Sequence, residues 1–363
     1  MVKKVISSEQ PPRRTYWQLL VGFLLVVAGI LLVVVSSLIQ YFNANPGSLD
    51  DALTPNTDTE NRQWFFDDSE FTATFPSHPV AVMIDNHFEV WDHQYGLSFA
   101  PVVYSTLVEG GTTRFMAVFD LSVASDAVIG PVRSVRPYYI PWAAEYDALL
   151  VHVGGSPDAL ALLQAGAVDN LNEMTSYGPL YFYRDDRYIA PHSTFTTAPD
   201  IREALLERGL FNEEHLDVSH FSFLFEKPKP APTEVEEILI DYSDKRTYDA
   251  TYVWNEDQGA YMRLRVDEPQ VDAYNGKVIG IDNVVIQRVP PEDVLDADLR
   301  IALEIIGNGE AVFFMNGRVV KGTWKKEEQD LPTRFYDNEG NEMSFVPGNV
   351  WVEVVPESVE VVY

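Results

Sequence analysis

Residues 148–166 read ALLVHVGGSPDALALLQAG, and this stretch decides the fold to be expected. Its first six residues form a short apolar run of strand type. Two glycines follow, and then Ser156-Pro157-Asp158 supplies a capping hydroxyl, a proline at the first helical position and an acid in the first turn. A strand should therefore bend sharply into a helix that ends near Gly166. Working outward, Pro79–Asp85 (PVAVMID), Val102–Val108 (VVYSTLV) and Thr113–Phe119 (TRFMAVF) repeat the strand pattern. Thr197–Leu210 (TAPDIREALLERGL) repeats the helix pattern, with Pro199 and Asp200 at its start and Gly209 near its end. Mixed strands and helices make the expected class α/β or α+β over residues 78–226.

Three alternate prolines in KPKPAPT mark a stiff linker, residues 227–234. Beyond it the helical signal vanishes. Tyr252–Trp254 and Tyr261–Val266 read as one hairpin. Ala311–Met315 and Arg318–Trp324 flank Asn316-Gly317, a turn signal that works because both central residues accept positive φ. Val350–Val355 reads as a final strand. Residues 235–363 are thus expected to form a small, mainly antiparallel β domain. Its Trp254, Tyr261, Trp324 and Trp351 read as core or sheet-face residues, with a carbohydrate-stacking strip as the alternative.

Upstream of both, Thr15–Leu49 contains no charged side chain, and Leu19–Ile39 reads LLVGFLLVVAGILLVVVSSLI. At ~1.5 Å per residue this spans about 31 Å, enough to cross a ~30 Å hydrocarbon layer. The expected layout is a cytoplasmic tail (1–16), a transmembrane helix (17–42) in the lipid bilayer, and a flexible stalk (43–77). Lys3, Lys4, Arg13 and Arg14 against Glu9 keep the N-terminus inside and place the remainder outside. A cleaved signal peptide is the rival reading, but its apolar core should be shorter.

Across 363 residues the formal charge is −29, which disfavours nucleic acid as a partner. The absence of cysteine removes disulfides, thiolate metal sites, cysteine nucleophiles and thioether lipidation. No lysine occurs between Lys4 and Lys227, so arginine supplies the basic side chains of the first outer domain. Arg114, Arg133, Arg136, Arg184 and Arg187 are candidates for capturing carboxylate or phosphate, because the planar fork suits bidentate binding. Ordinary ion pairing with neighbouring acids explains them equally simply. Arg133 and Arg136 share a face if their segment is helical, and the proline that follows favours an extended one.

Gly154, Gly155 and Ser156 offer a backbone cradle at a helix start, or merely a tight turn. His152 reads as a core histidine or a donor to a ligand. His192 lies in a turn after Arg184-Asp185-Asp186-Arg187 and is a candidate base, with Asp85 or Glu109 as the second group. His87, His93, His152 and His192 together with Asp85 are an alternative site for zinc or another divalent ion, but no histidine pair has metal-ligand spacing, so neither metal nor cofactor is expected. Ser134, Ser156 and Ser193 are weaker candidates as nucleophiles.

The motifs VMIDNH (82–87), YGLSFAPVVY (95–104), VEGGTTRF (108–115), GPVRSVRPYY (130–139), VHVGGSP (151–157) and FYRDDRYIAPHS (182–193) resemble the YerB-like family, described as domain of unknown function 3048. GNGEAVFFMNGRVVKGTWKK (307–326), TRFYDNEG (333–340) and PGNVWVEVVP (347–356) extend the resemblance through the second half. It implies a bacterial, envelope-facing, lipid- or membrane-anchored protein with an αβ first domain of layered sandwich type. It carries over no catalytic roles. Some members are anchored through a lipidated cysteine, which this chain lacks, so the apolar helix is expected to anchor it.

The expected function is binding of a small anionic ligand or envelope polymer by Arg114, Arg133, Arg136, Arg184, His152, Gly154, Gly155 and Ser156. Two alternatives stand beside it. One is a hydrolase or transferase acting on cell-wall or phosphorylated substrate, with His192 as base. The other is an envelope scaffold without a ligand site.

Overall fold

The structure is a computed structural model. It describes residues 78–363 except 122, 123, 125, 211–220, 225–227, 229–231, 243–245 and 292. The expected tail, transmembrane helix and stalk lie outside the described residues, as does part of the proline-rich linker. Among the described residues, no helix is long and apolar enough to cross a membrane.

A ten-stranded mixed sheet forms the frame. Its strands are β1 (Val80–Asp85), β2 (Val102–Leu107), β3 (Thr113–Phe119), β4 (Leu149–His152), β5 (Asn170–Asn172), β6 (Asn283–Val289), β7 (Gly307–Met315), β8 (Arg318–Lys326), β9 (Arg334–Asp337) and β10 (Val350–Pro356). Their spatial order is β9-β8-β7-β6-β10-β2-β3-β1-β4-β5. The sheet runs through both halves of the chain. β10, the last strand of the sheet, lies parallel to β2 on one side and to β6 on the other. This position explains why VWVEVVP is buried at every residue: a central strand covered on both faces reads as a continuous apolar run rather than an alternating one. A second sheet joins 237–241, 250–255, 260–265, 268–269, 280–281 and 360–362.

The expected α+β layered sandwich is therefore corrected. Among the described residues the protein is mostly β, 42% strand against 16% helix, and is organised around one large mixed sheet. The local signals do form elements. Ser156 accepts from the Ala159 amide and opens α1 (Pro157–Gln164). Thr197 caps α2 (Ala198–Arg208), which ends on Gly209 at φ +68°. Asn316 and Gly317, at φ +53° and +70°, turn β7 into β8. But α1 has eight residues and α2 eleven, with few buried positions each, and neither builds a layer. The apolar mass lies in the strands, where the sheet satisfies every inner backbone group while burying β1, β2 and β3 completely.

Buried polar clusters tie the halves together. Glu145 receives Tyr104 Oη at 2.5 Å, Lys326 Nζ at 2.8 Å and the Thr333 amide at 2.8 Å. Arg263, fully buried against Phe115 and Trp351, faces Glu353 at 3.7 Å, and Tyr242 and Tyr252 also donate to that carboxylate. Trp324, Trp351 and Tyr261 are buried and Trp254 packs against the core, so all four serve the interior.

Candidate functional site

β1 ends on Asp85, whose cross-strand neighbour in β3 is Arg114. The segment 130–136 runs extended beside β1. Val132 bridges to Ile84, the Arg133 amide donates to the Met83 carbonyl at 2.9 Å, and Val135 bridges to Gly155. Arg133 and Arg136 thus leave an extended segment towards different partners. Arg133 Nε lies 2.9 Å from Asp85 Oδ2, whereas Arg136 grips Glu109 through Nε, at 2.9 Å, and Nη2.

Past β1 the chain makes a short turn, Phe88–Val90, with His87 at its start. The 185–193 loop brings His192 back onto it. His192 Nδ1 lies 2.7 Å from Asp85 Oδ2, and Nε2 lies 3.1 Å from Glu89 Oε2. The His87 ring stacks on that of His192, centroids 4.8 Å apart at 18°, and His87 Nδ1 is 3.4 Å from the same Glu89 oxygen. Tyr248, from the second half, approaches His87 at 6.1 Å. Gln94 Nε2 holds the Asp85 carbonyl at 2.6 Å, while its Oε1 accepts from Arg265 and Gln270. The second half of the chain therefore fixes the end of β1.

The electrostatics follow from this packing. Burial works to raise the Asp85 carboxyl, but the His192 hydrogen bond and the Arg133 and Arg114 charges prevail and hold it below the usual carboxylate range. An ionised Asp85 accepts from Nδ1 of His192, and Nε2 faces the Glu89 carboxylate, so each ring nitrogen meets an acid oxygen. Asp85 is 2% exposed and the Glu89 side chain 56%, so the cluster runs from the core out to solvent. Burial, then the His192 charge, lowers the His87 pKa and favours its neutral ring.

The other expected residues are engaged elsewhere. Arg184 pairs with Glu173 at 2.9 Å beside an open hollow of about 400 Å³, and Arg187 pairs with Asp185 at 2.6 Å. His152 is wholly buried, its Nδ1 at 2.7 Å from the Gly154 carbonyl and its Nε2 at 3.2 Å from the Asn170 side chain. The diglycine bend serves its own chain. Gly154 receives the Val135 amide and donates to Asn172, while the Ser156 amide donates to the Val135 carbonyl. A Cβ on Gly155 would stand 2.8 Å from Val135 Cγ1. Ser156 is the helix cap.

The structure thus brings together Asp85, Arg114, Arg133 and His192, and adds His87 and Glu89. Glu89 was not a candidate from sequence. Its signal was the local His87-Phe88-Glu89 spacing, which acquires meaning only when His192 arrives from a hundred residues away.

The chain falls in a recognisable class. Residues 70–211 match the N-terminal domain, and residues 238–352 the C-terminal domain, of the family described as protein of unknown function (DUF3048). Among curated proteins, YerB of Bacillus subtilis (strain 168), named as a candidate lipoprotein, is 30% identical over 281 residues, covering 77% of this chain and 81% of the relative. The crystal structure of YerB from Bacillus subtilis superposes with a TM-score of 0.66 at 27% identity, covering 79% of this chain and 94% of that one. This chain belongs to the YerB-like, DUF3048 family.

Proposed function

We propose that this is a membrane-anchored, extracytoplasmic envelope protein whose Asp85–His192 pair performs hydrolysis or group transfer on an anionic envelope substrate. One observation carries the catalytic part. A buried, ionised carboxylate fixes His192 through Nδ1 and turns Nε2 towards the exposed side of the cluster, where it faces the Glu89 carboxylate. That is how a fold prepares an imidazole to take a proton. Arg114 and Arg133 keep positive charge beside it, where negative charge develops on a substrate.

The pure binding reading needs guanidinium groups free of carboxylates. Arg133, Arg136, Arg184 and Arg187 each have an acid partner, so the geometry favours chemistry at His192 over capture by an arginine cluster. The placement rests on the apolar 19–39 stretch and on the relative's name as a candidate lipoprotein. With no cysteine available, the apolar stretch is the anchor.

The experiment is turnover of a panel of cell-wall fragments and phosphate esters by the full chain in detergent. His192→Ala should remove turnover, by 10²-fold or more, and Asp85→Asn should lower it. Turnover that survives His192→Ala refutes the assignment.

A further inference from the structure

We infer that His87, Glu89 and His192 form a binding site for one divalent cation of the zinc class. The inference rests on the reading of the Asp85–His192 site above and specifies what Nε2 faces. With an ion bound, Asp85 would orient His192 as a ligand and a metal-bound water would take the place of the imidazole as base, so His192 stays essential to turnover.

The donor set is two imidazoles and one carboxylate, each offering one atom, all within 4.8 Å of one another. Two edges can be compared with coordination geometry. A tetrahedral ion with ligands at ~2.0–2.1 Å places them about 3.4 Å apart. Glu89 Oε2 lies 3.1 Å from His192 Nε2 and 3.4 Å from His87 Nδ1. The carboxylate oxygen sits between two ring nitrogens at 3.1 and 3.4 Å, close to that edge, while the whole set spans up to 4.8 Å and would draw in around an ion.

The surroundings complete the design. A metal-binding histidine commonly gives its other ring N–H to a carboxylate, which fixes the tautomer and orients the ring. Asp85 does this for His192 at 2.7 Å, and Arg133, at 2.9 Å from the same oxygen, orients that carboxylate in turn. The Asp85 backbone is pinned by Gln94 and by the Pro131 carbonyl. One ligand is therefore rigid, while His87 and Glu89, with side chains 28% and 56% exposed, are free to close on an arriving ion.

Three protein ligands leave at least one position for water or substrate, the arrangement of catalytic rather than structural zinc. Two nitrogens and one carboxylate select against calcium and magnesium, which take oxygen ligands.

The test is titration of the full chain with Zn²⁺ by calorimetry, with thermal unfolding in parallel. One tight equivalent is expected, together with a Tm rise that EDTA reverses and that Mg²⁺ or Ca²⁺ at the same concentration does not produce. Glu89→Gln, at an exposed position, should leave the fold intact and weaken Zn²⁺ at least tenfold. His87→Ala should do the same, and Asp85→Asn should weaken it 10–100-fold from the second layer. Zn²⁺ binding undiminished in Glu89→Gln and His87→Ala, or no binding in the wild type, overturns the site. Zn²⁺ binding without turnover on the substrate panel refutes the catalytic reading and leaves the cation site standing. Chelator-insensitive turnover without Zn²⁺ binding does the reverse.

Discussion

Glu145 and Asp85 are both buried carboxylates facing basic groups, and they use that charge in opposite ways. Glu145 is enclosed: Oε1 takes Tyr104, and Oε2 takes Lys326, the Thr333 amide and the Thr333 hydroxyl at 2.9 Å. Its side chain and that of Lys326 are both 0% exposed. Asp85 is as deeply seated, but one of its partners is a histidine whose far nitrogen faces an exposed acid. A cluster that closes on itself joins two halves of a sheet. A cluster whose outer nitrogen meets an exposed acid is open to act on something else.

Breaking the closed cluster gives the largest expected effect. Lys326→Met keeps the side-chain volume but leaves the Glu145 carboxylate buried without its counter-charge, and removing one member of a buried pair costs about 3–5 kcal/mol. Urea unfolding of the variant should show a loss of that order with the site's Zn²⁺ affinity unchanged. A loss below about 1 kcal/mol would mean that Glu145 takes up a proton or solvent readily, and the contrast with Asp85 would weaken.

Next in size is the packing that delivers Arg133. Gly155 accepts the Val135 side chain against its backbone, and an added Cβ would meet Val135 Cγ1 at 2.8 Å. Gly155→Ala should destabilise by about 1–3 kcal/mol, the usual range for overpacking. Because Val135 belongs to the segment that holds Arg133 to Asp85, Zn²⁺ affinity should fall as well. A stable variant with unchanged affinity would detach the diglycine bend from the site.

These contrasts also show what the sequence made legible. Local chemistry was readable: the Ser156 and Thr197 caps, the Asn316-Gly317 turn and the apolar runs of β1 to β4 follow from side-chain size, φ preference and hydroxyl geometry. Pairing over long distance was not. Nothing in VWVEVVP says that it lies between β2 and β6, where it joins strands from both halves of the chain in one sheet. The site shows the same division. Asp85, Arg133 and His192 were candidates by residue type, but Arg133, Arg136, Arg184 and Arg187 are engaged by carboxylates and Arg114 by the Ser134 carbonyl. Glu89 was passed over because an exposed acid in so acidic a chain carries no signal until two imidazoles are placed beside it.

The smallest expected effect separates two histidines that look alike in sequence. His152 and His192 are both buried, yet every polar atom of the His152 ring is committed to the interior, at the Gly154 carbonyl and the Asn170 side chain. Burial is the leading influence on His152 and lowers its pKa below the ordinary 6.5, the two hydrogen bonds only partly opposing it. The unfolded chain therefore takes up this proton at a higher pH than the folded one. Stability contributed by the neutral ring is fully present above pH 6.5 and is lost as the pH falls from there through the folded-state value. His152→Gln removes that titration, so the difference in urea midpoint between wild type and variant should narrow between pH 7.5 and pH 5. A difference that stays constant over this range would show that His152 is hydrated or charged in the folded state. It would then be no closed counterpart to His192.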